Sequence, residues 1–268
     1  MWYSILLYGW FIFASGNTRE VTVEHFDGGN GQYTFFVTNH RAAPYQLSIS
    51  FSEITNMKAD AALPVEVVLP PGMKNYPLFH LNATGSPAVF QYTYRVQLGD
   101  PRSARNDPGV RYVFPFEQGT ARLVMQGYNG SFSHQNTYAL DFDMPVGTLV
   151  TAARGGVVVA TKSDGTRGGL QHELEPEANQ VTVYHADGTY AVYVHLKHLG
   201  VLVQIGDTVR VGDPLGLSGN TGYSSAPHLH FAVYLPTYLS ATTVPVLFLG
   251  PNGTAIQAVQ GMTYSAVR

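Results

Sequence analysis

From residue 20 onward the chain is broken into short runs of β-branched and aromatic residues, each closed by Gly, Pro, Asn or Asp, and no stretch between them carries an apolar period of 3.6. Such runs between turn formers read as strands. Without helix-period segments, a core can close only by packing sheet on sheet. Over 17–100 the runs fall at 20–26, 33–37, 45–51, 65–69, 76–81 and 90–98, which predicts an immunoglobulin-like antiparallel β-sandwich. The expected fold class is all-β.

The segment 101–109 (PRSARNDPG) is polar, holds two prolines and a glycine, and shows no apolar alternation, so it reads as a linker. A second domain is then expected over 110–268. Its strand signals lie at 110–116, 121–126, in the block 137–160 with a turn at Pro145 and Gly147, and in a hairpin of 180–184 and 190–196 turned by Asp187-Gly188. Residues 201–217 repeat a short strand and a Gly-Asp corner. Further strands are expected at 231–235 and 244–249, with a last strand or tail at 254–264. The stretch 162–179 has no clear period and reads as a loop edging a groove.

Composition narrows the chemistry. A formal net charge of −3 over 268 residues gives no basic footprint, so phosphate backbones are not expected partners. The chain has no cysteine, which excludes disulfides, a thiol nucleophile and thiolate-held metals. Any metal must be held by imidazole and carboxylate. Before the first charged residue, Arg19, the chain reads WYSILLYGWFIFA followed by Ser15 and Gly16. At about 13 apolar residues this is short for a spanning helix and resembles a signal-peptide core with a small-residue cleavage site, although no basic residue precedes it. A signal peptide over 1–16, export to a periplasmic or extracellular location, and no stable membrane insertion after cleavage are expected.

The stretch SGNTGYSSAPHLHF (218–231) carries His228 and His230 one residue apart. In an extended segment residues i and i+2 share a face, so both imidazoles can reach one point. A chance pair on a solvated sheet face has the same spelling. Asp141 lies in an otherwise apolar strand with His134 upstream, while Asp143 suits the end of that strand, capping the MPVG turn. In 190–196, Tyr193 and His195 lie two apart and are expected to share a face, with His198 beyond the strand's end. His25, His40, His80 and His172 have no carboxylate at a recurrent interval and read as structural or surface histidines.

Three blocks, SH…YALDFDMPVGTLVTAARGGVV, VYHADGTYAVYVHL and GDTVRVGDPLGLSGNTGYSSAPHLHF, together resemble the M23 family of zinc metallopeptidases, the LytM and lysostaphin type, over about half the chain. The resemblance implies an antiparallel β-sheet peptidase domain, similar to lipoyl-type and duplicated-hybrid motifs. It implies that His134, Asp141 and His230 bind Zn2+, and that His195 and His228 are unliganded catalytic histidines. The resemblance does not divide the roles between these two; His228, two positions from His230 on one strand face, is expected nearer the water, with His195 helping to hold the oxyanion. Short family members space the first histidine and the aspartate by four, whereas His134 and Asp141 are seven apart, as in longer-spaced variants with YAxDF. Two imidazoles and one carboxylate suit a catalytic zinc with a fourth position for water, whose pKa falls towards ~7. The implied activity is a zinc-dependent endopeptidase acting on stem peptides or cross-bridges of peptidoglycan. The alternatives are a non-catalytic cell-wall protein regulating another hydrolase, and a sugar- or peptide-binding module using the same groove.

Overall fold

The computed structural model describes residues 20–267, so the apolar segment 1–16 and the expected signal peptide lie outside the described residues. The chain divides into two compact units, one reaching to Asp100 and taking in Pro236–Ser240, the other holding Pro101–Leu235 and continuing from Ala241. Among the described residues no helix is long and apolar enough to cross a membrane.

The first unit contains β1 (Val21–Asp27), β2 (Gln32–Asn39), β3 (Tyr45–Thr55), β4 (Met57–Ala59), β5 (Val65–Leu69), β6 (Tyr76–Ala83) and β7 (Val89–Leu98). They form two antiparallel sheets, ordered β1-β2-β6-β4 and β5-β3-β7. The period-2 pattern turns Phe35, Phe79 and Leu81 from one sheet and Leu47, Ile49 and Leu69 from the other into a single shared core. Each such side chain contributes roughly 1.5–3 kcal/mol by leaving water. Phe35 stacks on Phe79 at 4.4 Å, so these aromatics are spent on internal packing. The histidines here have local partners: His25 packs edge-on to Phe90, His40 meets Thr22 and His80 meets Thr34.

The strands of the second unit are β8 (Arg111–Tyr112), β9 (Ala121–Gln126), β10 (Ala139–Asp143), β11 (Leu149–Thr151), β12 (Gly156–Lys162), β13 (Gly168–Gly169), β14 (Asn179–Tyr184), β15 (Tyr190–Val201), β16 (Thr208–Val209), β17 (Pro214–Ser218), β18 (Gly222–Tyr223), β19 (His228–Thr237), β20 (Ser240–Val244), β21 (Leu247–Leu249), β22 (Ala255–Ile256) and β23 (Thr263–Ser265), with the last two residues of β19 and the first of β20 counted in the first unit. The main sheet runs β16-β12-β14-β15-β19-β10-β9-β23, so β10 and β15 flank β19. Leu140 faces Phe231 and Phe142 faces Leu229 across β10 and β19, and Tyr193 of β15 faces Phe231. These five side chains belong to one buried cluster with Phe114, which stacks on Phe248 at 4.4 Å. The opposite face of the same three strands carries the polar residues described below.

The segment 101–109, where the boundary is expected to within about five residues, is counted with the second unit: Ala104 is buried, and Arg105 N donates to Asp187 O. Two features depart from the sequence reading. The loop 162–179 contains β13 and a 3-10 turn, His172–Glu177. Strand β15 runs on to Val201 and takes in His198, because it accommodates an extra residue instead of ending.

His185 is buried, gives its Nδ1 proton to Gly155 O and leaves Nε2 without a partner. Burial, aided by the Arg154 charge and opposed by the Gly155 carbonyl and Asp187, lowers its pKa to about 4. The unfolded chain therefore binds a proton that the folded chain refuses between pH 6.5 and about 4, and stability is lost as pH falls through that window. For this group the loss is about 3 kcal/mol at most. Denaturant unfolding at pH 7 and pH 4.5 should show a shallower pH slope for His185→Leu than for the wild type; equal slopes would refute this role.

Candidate metal centre

Unbroken alternation on β10 and β19 puts Asp141 opposite His230 and Asp143 opposite His228, on the face away from the core. His134 arrives from the loop between β9 and β10. Its Nε2 lies 3.3 Å from Asp141 Oδ1 and 3.3 Å from His230 Nδ1, and His230 Nδ1 lies 3.0 Å from the same Oδ1. Three donors at bond lengths of 2.0–2.1 Å in a tetrahedral shell sit about 3.3 Å apart. The triangle therefore has the dimensions of a cage for one small divalent cation, and His134, Asp141 and His230 form a donor group of that kind. Asp143 lies exposed at the end of β10, outside the group.

The surroundings fix which atoms face the centre. Gly127 O accepts from His134 Nδ1 at 3.1 Å, which in the neutral ring leaves Nε2 as the lone-pair donor and in the protonated ring lets Nε2 donate to Asp141. Burial opposes charge on His134, but the Asp141 carboxylate and the Gly127 carbonyl outweigh it and raise its pKa. Burial likewise works against ionising Asp141, yet hydrogen bonds from His134 and His230 and the nearby imidazoles hold its carboxyl well below the usual carboxylate range. A carboxylate already ionised among converging imidazoles is the chemistry a cation requires.

Two more histidines flank the triangle. His228 Nε2 is 3.6 Å from Asp141 Oδ1, and its Nδ1 donates to Ala226 O at 2.7 Å. His195 donates from Nδ1 to Thr221 O at 2.7 Å, and its ring centre is 4.6 Å from that of His228 and 6.0 Å from that of His230. Both acceptor carbonyls belong to the Gly-rich stretch before β19, so that stretch also fixes two tautomers. Gly219 permits this, because a Cβ there would lie 2.5 Å from Lys197 N beside His195. Burial lowers the pKa of both, that of His195 to about 3, so both are neutral at pH 7 and turn a bare Nε2 inward.

The shared face expected for Tyr193 and His195 is corrected by the structure. Tyr193 lies in the core, whereas His195 turns to the metal face, because β15 bulges there: Val194 pairs with Gln180 and Leu196 with the next residue, Asn179. His195 takes the left-handed φ of 65°, uncommon for a non-glycine residue, and the extra position carries its side chain across the sheet. A second irregularity does the same on β9. Val124 faces Phe142 and Gln126 faces Asp141, so the two residues 124 and 126 pair with adjacent positions on β10.

Gln126 was not singled out from sequence, and alternation alone would have placed it in the core with Val124. Its Nε2 donates to Asp141 Oδ2 at 3.1 Å and to Ser133 Oγ at 2.7 Å, and its Oε1 accepts from Ser133 N at 3.2 Å. It therefore ties the carboxylate to the residue next to His134. Gln126→Ala is expected to weaken metal affinity about 10- to 100-fold, measured by competition with a chelating indicator, without unfolding the chain. Unchanged affinity would remove this role.

An all-β unit with a buried His–Asp–His donor group and two neutral histidines beside it has the makings of a metallohydrolase. Residues 135–242 match the model of Peptidase family M23, and the chain carries a domain of that family. Asp141, His195, His228 and His230 fall inside the match, and His134 immediately precedes it. Glycyl-glycine endopeptidase ALE-1 of Staphylococcus capitis is 39% identical over 129 residues, 47% of this chain and 32% of that protein. Peptidoglycan DD-endopeptidase ShyA of Vibrio cholerae is 38% identical over 91 residues, 34% of this chain and 18% of that protein. The solved catalytic domain of lysostaphin from Staphylococcus simulans aligns at 31% identity and a TM-score of 0.34, covering 47% of this chain and 86% of that one. These curated relatives are matched over only 18% to 32% of their own length.

Proposed function

We propose that this protein is a zinc-dependent endopeptidase acting on peptide bonds in peptidoglycan stems or cross-bridges, exported to where that polymer lies. The observation that carries the chemistry is the His134–Asp141–His230 triangle, with donor atoms 3.0–3.3 Å apart. The substrate class rests on likeness to relatives named as peptidoglycan and glycyl-glycine endopeptidases. His134, Asp141 and His230 would hold the ion through Nε2, Oδ1 and Nδ1. Zinc bound there supplies Lewis acidity, acidifying water and polarising the scissile carbonyl.

His228 and His195 move the protons. With each Nδ1 proton committed to a loop carbonyl, both Nε2 atoms are acceptors, suited to take a proton from water. His228 is the nearer to the donor group and serves as the base. His195 can hold an oxyanion only after it has gained a proton, so the tautomer fixed by Thr221 makes that duty conditional on proton uptake. The presence of all three donors and both extra histidines favours turnover over a binding or regulatory role.

Incubating the purified protein with peptidoglycan and analysing new amino termini by mass spectrometry tests the substrate. New termini at a defined peptide bond support the reading. Tight binding of peptidoglycan by zinc-loaded protein without new termini would favour the non-catalytic alternative.

A further inference from the structure

A histidine that moves protons has to stay where it is aimed, yet His195 sits on the least regular backbone of the site. Its φ of 65° is one that a non-glycine residue keeps only where the surroundings over-determine it. The ladder between β14 and β15 passes over it, because Gln180 pairs with Val194 and Asn179 with Leu196. The restraint must come from elsewhere.

Two buried side chains supply it. Thr221 donates from Oγ1 to Leu196 O at 2.8 Å, while its own carbonyl accepts from His195 Nδ1 at 2.7 Å. One residue thus grips both the ring of His195 and the peptide that follows it. Asn179 gives its backbone N–H to Thr221 Oγ1 at 3.0 Å, and its Nδ2 donates to the same Leu196 O at 3.3 Å. A hydroxyl has a single proton, so an Oγ1 that accepts from Asn179 N is left to donate to Leu196 O.

Asn179 is anchored in turn. Its Oδ1 accepts from Gly165 N at 2.8 Å and its Nδ2 donates to Gly165 O at 2.8 Å, the reciprocal exchange that a strand partner would make. Only glycine fits at the anchor, since a Cβ on Gly165 would lie 1.8 Å from Glu177 O. With both amide protons and the carbonyl oxygen engaged, the Asn179 side chain cannot turn without orphaning a buried polar group. The contacts run from Gly165 through Asn179 and Thr221 to His195, and end on the ring nitrogen opposite Nε2. Buried hydrogen-bonded pairs can often be replaced by apolar groups of the same shape at little cost in stability, so stability alone does not account for this chain of polar groups.

We propose that Thr221 and Asn179 are positioning residues for His195, holding the bulge in its left-handed conformation and the ring in the Nδ1–H tautomer, so that Nε2 remains an acceptor turned to the metal centre. This rests on the peptidase reading above. Neither residue belongs to the donor group or lines the cleft, so their loss acts on turnover and leaves zinc and substrate binding alone.

Thr221→Val keeps the shape of the side chain and removes its hydroxyl. In zinc-loaded full-length protein it is expected to lower kcat about 10- to 100-fold at unchanged KM and zinc content, whereas Thr221→Ser, which retains the hydroxyl, stays within about threefold of the wild type. Nitrogen NMR of His195 in metal-free full-length protein supplies a readout independent of turnover. The wild type and Thr221→Ser should show the Nδ1–H tautomer alone, and Thr221→Val should show the Nε2–H form as well. Asn179→Ala cuts the anchor without touching Thr221 and should give the same mixture, so it repeats the test if Thr221→Val does not fold. A pure Nδ1–H tautomer in either variant, wild-type kcat in Thr221→Val, or an equal loss in Thr221→Ser would overturn the clamp. A hydroxyl-dependent tautomer without turnover by the zinc-loaded wild type would leave the clamp standing and overturn the peptidase reading instead.

Discussion

Asp141→Asn is expected to abolish turnover and to lower metal affinity by more than 100-fold, beyond what loss of an outer partner such as Gln126 costs. The substitution keeps the shape of the side chain and removes its charge. In the native protein Oδ1 lies within 3.6 Å of His134, His228 and His230, and Oδ2 is engaged by Gln126. An amide there offers a weaker oxygen donor and, when flipped, an N–H aimed at imidazole lone pairs. It also removes the carboxylate that raises the His134 pKa, so protonation of His134 should shift to lower pH. Metal content by mass spectrometry and NMR titration of His134 read the two effects separately. Near-native zinc affinity in this variant would show that the ion, if bound, lies elsewhere.

His195→Ala is expected to behave in the opposite way towards the metal. His195 lies outside the donor group, so zinc content should match the wild type while kcat falls about 10²- to 10⁴-fold, the span commonly supplied by a positioned acid or base. The KM should change little, because the ring's polar partner is Thr221 O within the protein. Retained turnover would make His195 a structural filler of the bulge. Loss of zinc along with turnover would refute its unliganded assignment.

These expectations depend on features that were unequally visible in the sequence. The strands of both units were legible because β-branched and aromatic runs alternate with turn formers, and the meeting of Asp141 with His230 followed from unbroken alternation on β10 and β19. That logic failed at His195 and would have failed at Gln126. In both places one strand carries an extra residue, and side-chain parity reverses across the irregularity. Neither YAVYVHL nor ARLVMQ spells a bulge, since neither contains the Gly that often marks one. The acceptor carbonyls of Gly127, Thr221 and Ala226 were invisible for a different reason: backbone oxygens have no residue type. The sequence displays the ligating side chains, whereas the tautomers that make them useful depend on where the loops carry their peptide groups.

The most direct test of the central claim is to strip the full chain with chelator, add zinc back in increments, and follow peptide-bond cleavage alongside bound metal. Cleavage is expected to vanish in the stripped protein and to rise in proportion to zinc up to one equivalent per chain. Undiminished cleavage by protein shown to hold no more than a few per cent of an equivalent of any metal would contradict it.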